Sequence, residues 1–298
     1  MTNDFRYGAV SLVGRPNVGK STLLNLVVGS KISITSRRPQ TTRNRILGIR
    51  TDNEAQIAFV DTPGLHIDHK SRLNRAINRN AHAGLDEVDL VVWLITADGW
   101  RRDDDIVLGA MRERVTNVIL GINKIDKLQR MQVLLPLIAD SSRRYPFLEI
   151  VPLSARRGTN VDDLLVSIKR RLPIAPPGFP LDQVTARSDN FMVAELIREQ
   201  LFEQLGQELP YATAVELDSL SIDETRLIAS AVIWVNKPSQ KPIVLGSSGK
   251  RIREIGRRAR LEIGRCFSRT VYLKLWVKVG HGWTEDESAI RLLGYIED

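Results

Sequence analysis

The sequence predicts an α/β chain in two parts: a mixed, mostly parallel sheet with helices on both faces, then a smaller α+β domain. Three observations carry this. Apolar, β-prone runs alternate with helix-like segments through residues 6–172, the pattern of strand–helix–strand units. Residues 172–180 read LPIAPPGFP, and four prolines with a glycine in nine residues suit neither a regular helix nor a central strand. Beyond that stretch both the periodicity and the charge change. The expected organisation is a first domain over 1–172, a stiff linker over 173–181 and a second domain over 182–298.

The expected strands of the first domain are Tyr7–Val13, Arg45–Thr51, Gln56–Val60, Val88–Thr96, Val118–Ile122 and Glu149–Leu153. Only four residues separate the second and third, too few for a crossover, so these two form an antiparallel hairpin at a sheet edge. Thr22–Val28 reads as a helix that ends at Gly29.

The loops after these strands carry the chemistry. After the first come Gly14, Arg15, Pro16, Asn17, Val18, Gly19, Lys20, Ser21 and Thr22, with the spacing G-x-x-x-x-G-K-S of a phosphate-binding loop. Glycines let successive N–H groups point at phosphate oxygens, Lys20 brings a point charge to the β- and γ-phosphates, and Ser21 offers a hydroxyl to Mg²⁺. The following helix adds its positive end. After the third strand come Asp61, Thr62, Pro63 and Gly64; the carboxylate can hold Mg²⁺ through a water, and the Gly64 N–H can meet a γ-phosphate. After the fifth come Asn123, Lys124, Ile125 and Asp126. Asp126 can accept from the N1–H and 2-amino group of guanine, which adenine lacks. Asn123 can tie this loop to the phosphate loop, and the Lys124 stem can lie over a base. Ser154 and Ala155 follow the sixth strand, where the Ala155 N–H can meet guanine O6.

In this order GRPNVGKS, DTPG, NKID and SA resemble the motif set of the small GTPases. The resemblance implies GTP hydrolysis, with GTP, GDP and Mg²⁺ as ligands. It also implies a threonine that closes over Mg²⁺ and the γ-phosphate. Thr41 and Thr42 are the candidates, and Thr42 is preferred because the family places an arginine next, where this chain has Arg43. Ras-like members orient the attacking water with a glutamine after D-x-x-G. Here that place holds Leu65, which implies slow intrinsic turnover and leaves the catalytic group unknown. Residues 66–80, with His66, His69, Lys70, Arg72, Arg75 and Arg79, read either as a mobile switch helix or as a solvated charged face.

In the second domain Phe191, Ala194, Ile197, Leu201 and Leu205 have helical spacing, and Tyr211–Leu217, Leu227–Val235 and Thr270–Lys278 read as strands. Between the last two strands lies Gly246-Ser247-Ser248-Gly249, then KRIREIGRRARLEIGR, a basic amphipathic helix. The order resembles a type II KH domain, whose G-x-x-G loop admits RNA phosphates. Residues 237–278 hold 12 basic and two acidic residues, more net charge than the +8 of the whole chain. The expected RNA surface comprises Ile243, Gly246, Ser247, Ser248, Gly249, Lys250, Arg251, Arg253 and Arg257. Val244, Leu245, Ile252 and Ile255 would join Ile243 in flooring an apolar groove for unstacked bases. Tyr272, Lys274, Trp276 and Lys278 share one face of the last strand, suited to base stacking or simply to solvent.

One cysteine, Cys266, excludes a disulfide framework, and the longest apolar run, Leu90–Ala97, is too short to span a bilayer. The opening MTNDFRYGAV has no signal-peptide pattern, so a cytoplasmic location is expected. Taken whole, the chain resembles the bacterial Era family. That implies a GTP-controlled factor that binds the 3′ end of 16S rRNA during 30S subunit assembly, with peripheral inner-membrane contact; a monomer is expected. A metabolite-phosphorylating P-loop kinase and a non-catalytic RNA-binding protein are the two competing classes.

Overall fold

The computed structural model describes residues 4–36, 38, 41–63, 71–83, 88–112, 117–206, 208–293 and 295; for 78–83, 110 and 112 it describes backbone alone. The chain divides into two compact units. One holds residues 1–33, 42–67 and 78–186, the other 34–41, 68–77 and 187–298.

The first unit is built on β1 (Arg6–Val13), α1 (Lys20–Val28), β2 (Ile46–Thr51), β3 (Ala55–Asp61), then α2 (Arg72–Ala83), which crosses the division between units, β4 (Leu90–Thr96), α3 (Arg102–Arg112), β5 (Val118–Asn123), α4 (Leu134–Arg144), β6 (Glu149–Pro152) and α5 (Val161–Lys169). The sheet order is β2-β3-β1-β4-β5-β6. All pairings are parallel except β2 with β3. β4, LVVWLIT, is buried along its whole length, as a strand covered on both faces must be. It begins two residues later than the apolar run suggests. Asp89 keeps one ladder bond, its N–H donating to the Ala9 carbonyl at 3.0 Å, while its carboxylate accepts from the Ala9 N–H at 2.8 Å. The parallel order places the ends of β1, β3, β5 and β6 along one edge of the sheet, where such folds bind ligands. Residues 173–186 run back along this unit. Ile174 bridges Arg6, Thr185 bridges Gly48, and the Ile49 N–H donates to the Val184 carbonyl at 2.9 Å. Prolines tolerate such a position because an edge needs fewer donors.

The second unit contains α6 (Asp189–Gln204), β7 (Thr213–Ile222), β8 (Arg226–Val235), α7 (Lys241–Leu245), α8 (Lys250–Phe267), β9 (Thr270–Val279) and α9 (Glu287–Leu292). Its sheet is β7-β8-β9, antiparallel then parallel. β7 runs five residues past its predicted end. A register shift between Leu217 and Ser219 changes the phase of the alternation, which hides the rest of the strand from pattern reading. α6 starts at Ser188, whose hydroxyl accepts from the Phe191 N–H at 3.3 Å. It joins α8 over the sheet through Ile197, Leu201, Ile255, Ala259 and Ile263. A separate cluster joins Leu73, Ala76 and Ile77 of α2 to Ala214, Trp283, Ile290 and Tyr295.

Candidate functional site

In the first unit the phosphate loop is held by its neighbours. Asn123 Nδ2 donates to the Val18 carbonyl at 2.7 Å, while Asn123 Oδ1 accepts from the Lys124 N–H at 2.7 Å and the Ala155 N–H at 2.9 Å. One buried amide thus ties three loops together. It also explains Gly19: a Cβ there would lie 2.3 Å from Asn123 Nδ2, and φ is +109°. Lys124 Nζ donates to the Asn17 carbonyl, a contact that lays its stem across the loop. Arg15 turns away from the loop mouth. Its Nε donates to Asp104 at 3.1 Å and its Nη2 to Thr96 Oγ1 at 2.5 Å, so its side chain braces α3 and β4.

Lys20 is buried, and its Nζ donates to the Gly14 and Arg15 carbonyls at 2.8 and 3.3 Å. Burial pushes its pKa down to about 8, with Asp61 pulling the other way. Ser21 Oγ donates to Asp61 Oδ2 at 2.7 Å and lies 3.1 Å from Thr42 Oγ1. Burial raises the Asp61 carboxyl, against Lys20 and the hydroxyls of Ser21 and Ser33. Asp61 Oδ1 is buried with no hydrogen-bond partner among the described residues. Thr62 Oγ1 donates to the Leu12 carbonyl at 2.9 Å, which pins this loop to β1, and Pro63 is buried beside it. Ser154 Oγ donates to Asp126 Oδ1 at 2.6 Å, and that hydrogen bond is the main cause of a lowered Asp126 pKa. Pro16, Val18 and Thr22 complete the loop and the start of α1. Gly64, Leu65, His66, His69 and Lys70 lie outside the described residues.

The structure therefore gathers Ser21, Thr42 and Asp61, and joins the loops of Asn123 and Ala155. Sequence reasoning missed Ser33, whose hydroxyl donates to Asp61 Oδ2 at 3.0 Å, and Asn25, whose Oδ1 accepts from the N–H groups of Ile32 and Ser33 at 3.0 and 2.9 Å. No motif marks either. The Ala155 N–H, expected at guanine O6, donates to Asn123 Oδ1 at 2.9 Å.

In the second unit the G-x-x-G loop has three left-handed residues, Gly246, Ser248 and Gly249, with φ of 71°, 49° and 72°. A Cβ on Gly246 would meet Arg251 Cβ at 2.6 Å. The loop is stapled from α8: an Arg251 guanidinium nitrogen donates to the Ile243 carbonyl at 2.6 Å, and Arg253 to the Ser248 and Gly249 carbonyls at 2.6 and 3.2 Å. Arg257 and Arg258 share Glu254, whose pKa falls to about 2 through these hydrogen bonds. An open groove follows, lined by Lys250, Ile252, Gly256, Arg260, Leu273 and Leu275, among others. Its floor differs from the sequence expectation. Val244 and Ile255 are fully buried in the core, because a helix against a sheet must turn its innermost row inward; Ile252 stays at the groove as expected, and Leu273 and Leu275, not foreseen there, line it with Ile252. Ser247 belongs to the short turn between the glycines. On β9 Tyr272 and Trp276 stand 55% and 60% exposed.

The fold and these two constellations define a P-loop nucleotide-binding protein carrying a KH module. A family model described as 50S ribosome-binding GTPase matches residues 9–124, and a KH-domain model matches residues 208–284. GTPase Era of Vibrio parahaemolyticus is 45% identical over 293 residues, covering 98% of this chain and 92% of that protein. GTPase Era of Haemophilus influenzae is 45% identical over 292 residues, with 98% and 97% covered. Two solved structures match with TM-scores of 0.94 and 38% identity over 98% of this chain and 100% of theirs: a variant of Aquifex aeolicus Era bound to GDP·AlF4⁻, and Era in complex with MgGDPNP and nucleotides 1506–1542 of 16S ribosomal RNA. The chain belongs to the Era family of GTPases. Its activity is GTP hydrolysis and its second unit is an RNA-binding KH domain, which removes the kinase and non-catalytic readings. Among the described residues no helix is long and apolar enough to cross a membrane.

Proposed function

We propose that the chain is a GTP-controlled RNA switch in assembly of the 30S ribosomal subunit, with its KH groove on the 3′ end of 16S rRNA. The observation that carries this reading is full-length likeness to an Era solved with MgGDPNP and a 16S rRNA fragment, joined to a basic groove beside a G-x-x-G loop. GTP enters through the loop 14–21, with Asp126 reading guanine. Ser21, Thr42 and Asp61 fit Mg²⁺: three oxygens cluster, and Asp61 Oδ1 is an orphaned buried acceptor. Bound Mg²⁺ would neutralise charge on the β- and γ-phosphates. Lys20 leaves its loop carbonyls for the phosphates, and Asn123 holds the loop rigid, so positioning supplies most of the catalysis. Leu65 has no atom that orients a water, so unassisted turnover is slow. In the groove, Lys250, Arg253 and Arg257 neutralise phosphates while Ile252, Leu273 and Leu275 receive unstacked bases.

GTP orders the segment at Thr42, and this order controls access to the groove. The chain acts as a cytoplasmic monomer whose basic surface allows electrostatic contact with the inner face of the membrane. The test is GTP hydrolysis by the pure protein with and without a short RNA matching the 16S 3′ end. A several-fold rise is expected. RNA that binds yet leaves the rate unchanged would reduce the KH domain to a tether and end the switch reading.

A further inference from the structure

We infer that Arg198, a charged side chain inside the RNA-binding unit, positions Thr42 for Mg²⁺ and the γ-phosphate. Arg198 lies on α6 and is 1% exposed. Its guanidinium is gripped on one edge by Glu195, at 2.6 Å from Nε to Oε1 and 2.5 Å from Nη2 to Oε2. The same Nη2 donates to the Thr41 carbonyl at 2.6 Å. At the next residue, Glu199 Oε1 accepts from the Thr35 N–H at 2.9 Å. Residues 34–41 are thereby part of the RNA-binding unit, while Thr42 belongs to the nucleotide unit, where its hydroxyl meets Ser21.

A buried ion pair is a poor stabilising device, since apolar residues of equal volume often do as well or better. What this pair adds is direction. A guanidinium forked onto a carboxylate cannot rotate, so the second hydrogen of Nη2 points one way. Here it points at the carbonyl of the peptide that joins Thr41 to Thr42. Fixing that peptide plane fixes the backbone from which Thr42 Oγ1 projects toward Ser21 and Asp61. Arg198 is a positioning residue, acting through the peptide that joins Thr41 to Thr42. Glu199 holds the same segment six residues earlier.

This rests on the reading of Thr42 as a ligand used with GTP and not with GDP. The experiment measures affinity of the full chain, with Mg²⁺, for fluorescent GDP and for a fluorescent non-hydrolysable GTP analogue. Arg198→Met is expected to weaken the GTP analogue by about tenfold or more, the scale of one lost charge-assisted hydrogen bond, while GDP affinity is kept. A parallel loss for both nucleotides, or no loss, would overturn the proposal, because a merely structural arginine does not discriminate between them. Thr42→Ala separates the two layers. If it too leaves the GTP-to-GDP ratio unchanged, the reading of Thr42 fails; if it alone shifts the ratio, only the role of Arg198 fails. Where Arg198→Met does not fold, Glu195→Leu with Arg198→Met removes both charges and repeats the comparison. Failure of both variants to fold would make the pair a structural element and overturn the proposal.

Discussion

Replacing Asp126 with Asn is expected to exchange guanine for xanthine as the preferred base. The carboxylate accepts one hydrogen bond from Ser154 and is held ionised by it. It keeps acceptor capacity for the two donors on the edge of guanine. An Asn places an amide NH₂ where an acceptor is needed, so a guanine donor faces a donor. Xanthine carries an oxygen at the 2-position, which that NH₂ can satisfy. Sites built to hydrogen-bond a polar edge reject a mismatched ligand by about 10⁴, and a loss of that order is expected for GDP. Titration of fluorescent GDP and XDP against both proteins measures it. The fold is expected to survive, since Asn123 and not Asp126 ties the loops. Unchanged GDP affinity would remove Asp126 from the base site.

The second large effect is expected at the G-x-x-G loop, and the two glycines differ in how cleanly they test it. Gly246→Asp forces a Cβ to 2.6 Å from Arg251 Cβ and 3.0 Å from its backbone nitrogen, so the loop itself must shift. Gly249 has room: a Cβ there meets only Ile252 Cγ2 at 3.9 Å. Its φ of 72° is one that Asp tolerates better than most residues. Gly249→Asp therefore leaves a folded domain with a carboxylate where phosphates must approach. Like-charge placement costs several kcal/mol, so RNA affinity is expected to fall by about 10² or more. Fluorescence anisotropy with the 16S 3′-end RNA measures the loss, and thermal unfolding checks the fold. Equal affinity for wild type and Gly249→Asp would move the RNA elsewhere on the unit.

The buried charges of α6 show where reading a sequence reaches its limit. Of the apolar residues spaced along α6, Ile197, Leu201 and, just past its end, Leu205 are buried as that spacing requires, while Phe191 and Ala194 are only partly buried. Glu195, Arg198 and Glu199 sit on the remaining face, where charges ordinarily meet solvent, yet they are 7%, 1% and 2% exposed. Glu195 pairs with Arg198 inside the helix, but Arg198 and Glu199 also bond backbone groups of Thr41 and Thr35, more than 150 residues earlier. A backbone carbonyl leaves no trace in the choice of side chain, so no motif could announce the pairing. The groove floor was legible only in part, for a related reason. Helical spacing says which residues share a face, but how deep each lies depends on the sheet beneath, and Ile255 went to the core while Ile252 stayed at the groove.

What the sequence determined by itself is the set of motifs. The phosphate-loop, D-T-P-G, N-K-I-D and G-x-x-G patterns each rest on a few adjacent residues whose backbone demands are local, so spacing alone reveals them. What the tertiary structure decided is how they are held: Asn123 joining three loops, Ser33 reaching Asp61, and residues 34–41 folding with the RNA-binding unit. Those depend on which distant backbone groups come within hydrogen-bond range, and only the packed chain sets that distance.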